Sequence, residues 1–367
     1  MFLWLSKKKS CYIIKLEKTR KACFLEEIIN EGKGIFVILN YDQIRGITHG
    51  AVRVEEQNGA IRFLRFTEAQ QEAYRLASPD DFYKKTFATA SVRLSFVTDS
   101  QFLGLQYRMT KSSSRAFGWF DVYEDGVLIA HFGGEIDTVL EGREEIPFSA
   151  GEKKVEVYFP WSAAAEIVAM ELADGAVVRP VEKQITLLSF GDSITQGYDA
   201  MYPSRSYQNR LADLLGATCI NKGIGGETFF PALLDSEEDI QPDLITVAYG
   251  TNDWSKTDRP TYEQNCRNFY EKLAKRYPTA KIIAITPIWR ADNTKQTPFN
   301  APLSKAIKMI EEICSQIPGV SVIHGGTFTP RLPEFYSDGY LHPNDMGFGF
   351  YAENLYPAVM AILNDKN

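Results

Sequence analysis

The segment ITLLSFGDSITQG, residues 185–197, joins an apolar run to a Gly-Asp-Ser turn. The apolar run predicts a buried β-strand, and the turn after it would hold the Ser193 hydroxyl at the carboxyl end of that strand. In parallel α/β sheets, ligands bind beyond these strand ends. The segment therefore predicts the first strand of such a sheet and shows where to look for chemistry.

The chain after this segment repeats the same alternation of apolar runs and helical patterns. Strand–helix alternation with nearly continuous apolar strands indicates a parallel sheet covered by helices on both faces, which is the α/β class. The further strand candidates are residues 217–221, 243–250, 281–287 and 320–325.

The chain before this segment has a β texture from about residue 46 to 180. Apolar and polar residues alternate in residues 92–97, 103–109 and 155–159, and Asp125-Gly126 is typical of a hairpin turn. Short strands separated by turns predict a β-sandwich, with one short helix at residues 67–74. Residues 1–45 are poorly defined, with a helical pattern at residues 26–29 and a strand candidate at 34–40. The predicted domains are residues 1–180 and 181–367.

Composition excludes several classes of function. The 367 residues carry 40 basic and 47 acidic side chains, a net charge of −7, which disfavours binding to nucleic acid phosphates. The five Cys never form a CxxC pair, which argues against disulfides and zinc and favours a reducing compartment. The opening run MFLWL is too short for an export signal, and we find no membrane span. A cytoplasmic location is expected.

Four segments at or near strand ends together meet the needs of acyl transfer, which are a nucleophile, a base and donors for an oxyanion. Ser193 supplies the nucleophile and His342 the base. The oxyanion donors would be the N–H groups of Ser193 and Gly226 and the side-chain amide of Asn252.

Each of these residues alone has a simpler explanation as a helix cap or turn residue. Their combination, in an order that points them at one crevice, favours the catalytic interpretation. Of the four His, His49 and His131 are expected at strand ends of the β-rich half. His324 is the only rival to His342 as base, but no acidic residue near it in sequence would orient it.

With these motifs in order, residues 185–367 resemble the SGNH hydrolases, also called the GDSL esterase/lipase family. The resemblance runs in order through GDSIT at 191–195, the glycine-rich segment that ends at Thr228, GTND at 250–253, and the DG…HPN segment at 338–344. It implies a flavodoxin-like three-layer α/β/α sandwich and ester hydrolysis with no metal or cofactor. By resemblance, Ser193 is the nucleophile, Gly226 and Asn252 are oxyanion donors, and His342 is the base.

The acidic partner of His342 departs from the family pattern. The family usually has Asp three residues before the His, whereas here that position is Gly339 and the acid, Asp338, stands four before. Either a bulge returns Asp338 to the imidazole, or a backbone carbonyl orients the ring.

The N-terminal half carries no catalytic motif. A jelly-roll-like β-sandwich before such a domain is similar to the arrangement in two-domain carbohydrate esterases of the acetyl-xylan-esterase kind. Aromatic residues near the expected crevice are candidates for the substrate side, with ordinary packing as the alternative. They are Trp254, Trp289 and Tyr198, and more weakly Phe229 and Phe230.

These observations predict a serine esterase that removes acetyl or other short acyl groups, with carbohydrate as the expected carrier. The expected partner is a small-molecule or oligosaccharide ester, and the oligomeric state stays open. A lipase or lysophospholipase is an alternative, although no long apolar lid segment is found. A catalytically impaired glycan-binding protein is an alternative of another class, and the shifted Asp338 is the only feature in its favour.

Overall fold

The computed structural model describes residues 36–365, so the helix expected at residues 26–29 lies outside the described part of the chain. The first half of the described chain consists mostly of strands, as its alternating apolar pattern predicts. These strands are β1 (Phe36–Ile38), β2 (Thr48–His49), β3 (Arg53–Gln57), β4 (Ala60–Leu64), β5 (Arg93–Thr98), β6 (Phe102–Lys111), β7 (Phe117–Glu124), β8 (Val127–Glu135), β9 (Val139–Pro147), β10 (Lys153–Tyr158), β11 (Ala163–Ala173) and β12 (Arg179–Pro180). The helices of this half are α1 (Tyr41–Gly46), α2 (Glu68–Ala77) and α3 (Phe82–Lys85).

The strands form two antiparallel sheets that pack face to face. One sheet has the order β3-β4-β11-β6-β9 with β1 beside β11, and the other has the order β12-β5-β10-β7-β8 with β2 beside β5. Side chains of both sheets, such as Leu105 and Val157, share one buried apolar cluster. At the predicted hairpin turn, Asp125 and Gly126 have φ values of 47° and 83° and join β7 to β8. The predicted β-sandwich is confirmed.

The second half forms a parallel five-stranded sheet of order β14-β13-β15-β16-β17. Its strands are β13 (Ile185–Gly191), β14 (Ala217–Asn221), β15 (Leu244–Ala248), β16 (Lys281–Ile285) and β17 (Val320–Ile323). Its α-helices are α4 (Ser193–Gln196), α5 (Tyr207–Leu215), α6 (Thr251–Lys256), α7 (Arg259–Arg276), α8 (Leu303–Cys314) and α9 (Asp345–Asn364). Short 3₁₀ turns lie at Pro203–Arg205, Pro231–Leu234, Gly325–Thr327 and Pro333–Phe335.

Helices cover both faces of the parallel sheet because successive side chains of its strands point to opposite faces. Leu188 of β13 packs in the cluster that contains Phe269 of α7 and Ile310 of α8. Leu187, its neighbour, packs in the cluster that contains Tyr351 of α9. The result is the flavodoxin-like three-layer arrangement that the sequence predicts.

The two halves are in direct contact. In the sandwich, β12 still pairs with β5, and β13 opens the parallel sheet a few residues later. Across the junction, Arg93 of β5 pairs with Asp213 of α5, and the Arg115 guanidinium lies 2.7 Å from the Asp199 carboxylate. The division of the chain between residues 180 and 181 stays a prediction. Within residues 36–365, no helix is long and apolar enough to cross a bilayer.

Candidate active site

Ser193 stands on a tight turn between β13 and α4. The Asp192 carboxylate caps the helix by accepting the N–H of Ile194 at 3.0 Å. Glycine is required at position 191, since a Cβ there would lie 2.1 Å from Thr195 Oγ1. As the first residue of α4, Ser193 has no acceptor for its N–H within the helix. The local sequence thus places a hydroxyl and an N–H group together at the end of the central strands.

Three of the predicted site residues form one hydrogen-bonded chain. The Oγ of Ser193 lies 2.9 Å from His342 Nε2, and His342 Nδ1 lies 2.7 Å from Asp338 Oδ2. This is the order in which a base takes a proton from a nucleophile while a carboxylate holds the ring in the required tautomer.

The Asp338 carboxylate is fixed by its own loop. Its Oδ1 accepts the N–H groups of Tyr340, Leu341 and His342 at 3.0, 2.8 and 3.1 Å, which leaves Oδ2 for the imidazole. Gly339, at φ 75°, permits the turn. Partial burial raises the pKa of Asp338, but the hydrogen bonds from His342 and the backbone outweigh it and hold the pKa well below its usual range. Asp338 is therefore a carboxylate at neutral pH.

Both of the other predicted oxyanion donors keep hydrogen-bonding capacity for a ligand. Among residues 36–365, no acceptor is found for the N–H of Gly226, which has φ 87°. One hydrogen of the Asn252 amide goes to the carbonyl of Glu227 at 3.0 Å, and the second is left for a ligand. That bond ties the start of α6 to the glycine-rich loop.

Side-chain hydrogen bonds hold the glycine-rich loop, residues 221–228, against the serine turn. The side-chain amide oxygen of Gln196 accepts the N–H of Gly225 at 2.7 Å. The Asn221 amide donates to the carbonyl of Thr195 at 2.7 Å, and its oxygen accepts the N–H of Gly223 at 2.8 Å. The position of Gly226 relative to Ser193 therefore follows from this network.

Three cationic side chains that the sequence analysis did not single out contact the glycine-rich loop. Arg65, fully buried, donates to the carbonyls of Asn221 and Gly223. Lys85 Nζ donates to Gly225 O at 2.7 Å, and Lys256 Nζ donates to Gly226 O at 2.5 Å. Arg65 and Lys85 belong to the sandwich half, more than a hundred residues away in sequence, and no local pattern marks them.

Two buried carboxyl groups form hydrogen bonds that stabilise the loops after β14 and β15. Burial raises the pKa of Glu227 to about 8, and this group accepts hydrogen bonds from Tyr74 and Tyr249. Burial likewise raises the pKa of Asp253 to about 7, while its oxygen accepts the N–H of Phe229 at 2.8 Å. These groups connect the sandwich helix α2 and the loops after β14 and β15.

The aromatic candidates for the substrate side have different positions. Tyr198 stacks beside His342 with ring centroids 5.9 Å apart, so it borders the site. Trp289 is half-buried and packs on Tyr336, with ring centroids 5.0 Å apart, beside the loop that carries Asp338. The prediction that Trp254 lies on the substrate side is corrected by its burial. The side chain is fully buried in the core, where its indole N–H donates to the carbonyl of Ala301 at 2.7 Å, so it offers no surface to a substrate. Phe229 is also fully buried, and Phe230 packs at the edge of the same cluster.

The other histidines lie outside the Ser193 site. His324 does have an acidic partner, contrary to expectation, because its Nδ1 lies 3.1 Å from Glu311, but the pair is at the surface with the His324 side chain 70% exposed. His131 lies within β8 and not at a strand end, with Nδ1 2.7 Å from Asp121. His49 ends β2 as predicted.

One group of donors could in principle bind a metal ion. Asp199, Asp338 and His342 each offer an atom within 4.8 Å of one another. These atoms already serve one another: His342 Nδ1 pairs with Asp338, and the Arg115 guanidinium pairs with Asp199 at 2.7 Å. The donors are thus already engaged in a hydrogen bond between His342 and Asp338 and an ion pair between Arg115 and Asp199, which does not favour a cation site. The prediction of a metal-free site stays a prediction.

Comparisons with known proteins identify a family for part of the chain. Residues 189–349 match the model of the GDSL-like Lipase/Acylhydrolase family. A search of curated proteins finds no match.

Solved structures share the whole architecture. They include the salicylyl-acyltransferase SsfX3 from a tetracycline biosynthetic pathway, at 20% identity and a TM-score of 0.75 over 90% of this chain and 97% of that one. A family two carbohydrate esterase from Cellvibrio japonicus has 19% identity and a TM-score of 0.63 over 90% and 98%. The acetyl xylan esterase Est2A from Butyrivibrio proteoclasticus has 15% identity and a TM-score of 0.60 over 91% and 100%. At these identities the likeness establishes the fold. The match to the family model over residues 189–349 places a GDSL-like lipase/acylhydrolase domain in the C-terminal region and makes the protein a hydrolase of ester bonds.

Proposed function

We propose that the protein is a serine esterase that removes acetyl or other short acyl groups from a carbohydrate ester through an acyl-enzyme on Ser193. The observation that carries the proposal is the chain from Ser193 Oγ to His342 Nε2 at 2.9 Å and from His342 Nδ1 to Asp338 at 2.7 Å. Acetyl and carbohydrate are favoured because esterases of those substrates share the two-part fold.

The geometry supports a two-step reaction. Ser193 Oγ attacks the ester carbonyl carbon while His342 Nε2 takes the hydroxyl proton. The oxyanion that forms accepts hydrogen bonds from the N–H groups of Ser193 and Gly226 and from the Asn252 amide. Collapse breaks the bond to the alcohol oxygen, and His342 returns the proton to that oxygen. His342 then takes a proton from water as the water oxygen attacks the acyl-enzyme carbonyl. Collapse breaks the bond between the acyl carbon and Ser193 Oγ, and His342 returns the proton to that oxygen, which frees the acid and restores Ser193.

The alternative of a catalytically impaired glycan-binding protein has lost its main support. It rested on the extra residue between Asp338 and His342, and this residue leaves the hydrogen bond between them in place. A lipase-type esterase remains the alternative within the enzyme class, and acyl-chain length separates the two: we expect turnover to fall as the chain grows beyond a few carbons.

Replacing Ser193 with alanine tests the mechanism. We expect the wild type to cleave p-nitrophenyl acetate and acetylated sugars, and Ser193→Ala to lose about 10⁴-fold or more in kcat because the nucleophile is gone. A fluorophosphonate should label the wild type and not the variant. Ser315→Ala, on the exposed end of α8, is the matched control and should keep full activity. Equal rates for Ser193→Ala and wild type would refute the mechanism.

A further inference from the structure

Lys85 is a buried cation of the sandwich half whose side chain contacts the glycine-rich loop. It ends α3 and is only 6% exposed. Its Nζ donates to the carbonyl oxygen of Gly225 at 2.7 Å and also lies 2.5 Å from the Asp81 carboxylate. A hydrogen bond from a charged donor is stronger than one between neutral groups, and burial keeps water from competing for it.

The Gly225 carbonyl belongs to the same peptide group as the Gly226 N–H. Resonance couples the two ends of a peptide group, so a cation at the oxygen draws electron density from the nitrogen and makes its N–H a stronger donor. Among residues 36–365 this N–H has no acceptor of its own. Lys85 therefore contacts the far end of a peptide dipole whose N–H is free to act on a ligand.

We propose that Lys85 is a positioning residue for ester cleavage: its ammonium group fixes and polarises the Gly225–Gly226 peptide and thereby strengthens the Gly226 N–H in the oxyanion hole. The inference rests on the proposed function, in which this N–H binds the oxyanion. It also gives the sandwich half a part in the chemistry, since α3 lies there.

The neighbouring cation, Lys256, has a different effect. Its Nζ donates to the carbonyl of Gly226, which shares a peptide group with the N–H of Glu227. That N–H already donates to the carbonyl of Ile224 at 3.1 Å. Lys256 therefore stiffens the turn, whereas Lys85 acts on the peptide whose N–H the proposed function assigns to the oxyanion.

Substitution of Lys85 tests the inference in the full-length enzyme. Loss of a whole oxyanion donor costs about 10²- to 10³-fold in kcat, so Lys85→Met, which keeps the donor but removes its polarisation, should lower kcat about 10-fold. KM for p-nitrophenyl acetate should stay within about twofold, because the effect is on the transition state. Affinity for a boronic acid that forms a tetrahedral adduct with Ser193 should fall with kcat. Lys85→Arg, which keeps the charge, should recover most of the lost rate.

The matched control is Lys84→Met, the same change on the preceding residue, whose side chain is 63% exposed and pairs only with Asp80 at 3.4 Å among the described residues. It should leave kcat, KM and the thermal midpoint unchanged. If Lys85→Met lowers the thermal midpoint, the kcat values of Lys85→Gln and Lys85→Arg are compared instead, at a temperature where both variants are folded. A higher kcat for Arg supports the inference, and equal values overturn it.

Two outcomes separate this inference from the proposed function. Full kcat in Lys85→Met, with Ser193→Ala inactive, overturns the role of Lys85 and leaves the esterase intact. A wild type that neither cleaves esters nor reacts with a fluorophosphonate removes the proposed function, and the role of Lys85 falls with it.

Discussion

The loop between Asp338 and His342 solves a geometric problem at the scale of single residues. One carboxylate oxygen gathers three backbone N–H groups, those of Tyr340, Leu341 and His342, and this curls the loop back on itself. The other oxygen then reaches His342 Nδ1, although Asp338 stands four residues before the histidine. Of the two arrangements that the sequence leaves open, the structure contains the carboxylate and not a backbone carbonyl.

Asp338→Asn should lower kcat by about 10²- to 10⁴-fold, because an amide hydrogen facing Nδ1 would favour the tautomer in which Nε2 cannot accept the Ser193 proton. KM should change little. Steady-state kinetics with p-nitrophenyl acetate measures the effect. Asp80→Asn, which removes a carboxylate from a 96% exposed side chain, should match the wild type. An active Asp338→Asn enzyme would show that Asp338 does not set the tautomer.

At the scale of elements, much of the parallel-sheet half was predictable from the sequence because its signals are local. The strands that end in Gly191 and Asn221 are mostly apolar, with Thr and Ser as their only polar residues before the ends, and buried parallel strands need that composition. Ser193, Gly226 and Asn252 follow such strands, so strand order alone brings them to one edge.

Other features depend on contacts that no local pattern encodes. Trp254 follows Asn252 closely, yet it points into the core because it lies on the inner face of a short helix. Lys85 meets Gly225 across 140 residues of sequence. Apolar alternation and turn residues predict individual strands and turns. A contact such as that between Lys85 and Gly225 depends instead on how the two halves of the protein pack against each other.

The contact between β2 and β14 should make stability depend on pH. His49 Nδ1 lies 2.8 Å from the Thr218 hydroxyl, across the junction of the two halves. Burial first, and then the positive charges of Arg93 and Lys183, lower the pKa of His49 to about 4, while Glu156 opposes them. The folded state thus keeps this imidazole neutral where an unfolded chain would protonate it.

The unfolding free energy should therefore fall as pH drops from 6.5 to about 4, since only the unfolded state gains the proton in this window. The contribution of His49 is on the order of 3 kcal/mol over the window. Other groups titrate there too, so the measurement is the difference between wild type and His49→Gln in denaturant titrations from pH 4.5 to 7.5. That difference should shrink or reverse towards acid pH. His324→Gln, at an exposed site, should track the wild type. A constant difference for His49→Gln would contradict this assignment.

At the scale of the whole molecule, the sandwich is part of the framework of the active site. Arg65 follows β4 and is fully buried, and it donates to the carbonyls of Ala88, Asn221 and Gly223. Burial lowers its pKa to about 10, so it remains a cation at neutral pH. One side chain of the first half thereby satisfies backbone groups on both sides of the junction, including the loop that carries Gly226.

Arg65→Met should destabilise the protein by about 3–5 kcal/mol, because buried carbonyls on both sides would lose their donor. Urea denaturation measures the loss. The matched control is Arg62→Met on β4, three residues earlier, whose ion pair with Glu166 at 3.4 Å lies at the partly exposed surface and should be worth about 1 kcal/mol or less. In conditions where Arg65→Met stays folded, kcat should also fall, since the glycine-rich loop loses two of its anchors. Arg62→Met should leave kcat unchanged. Equal losses of stability in the two variants, with kcat intact in both, would mean that the loop holds its shape without the sandwich.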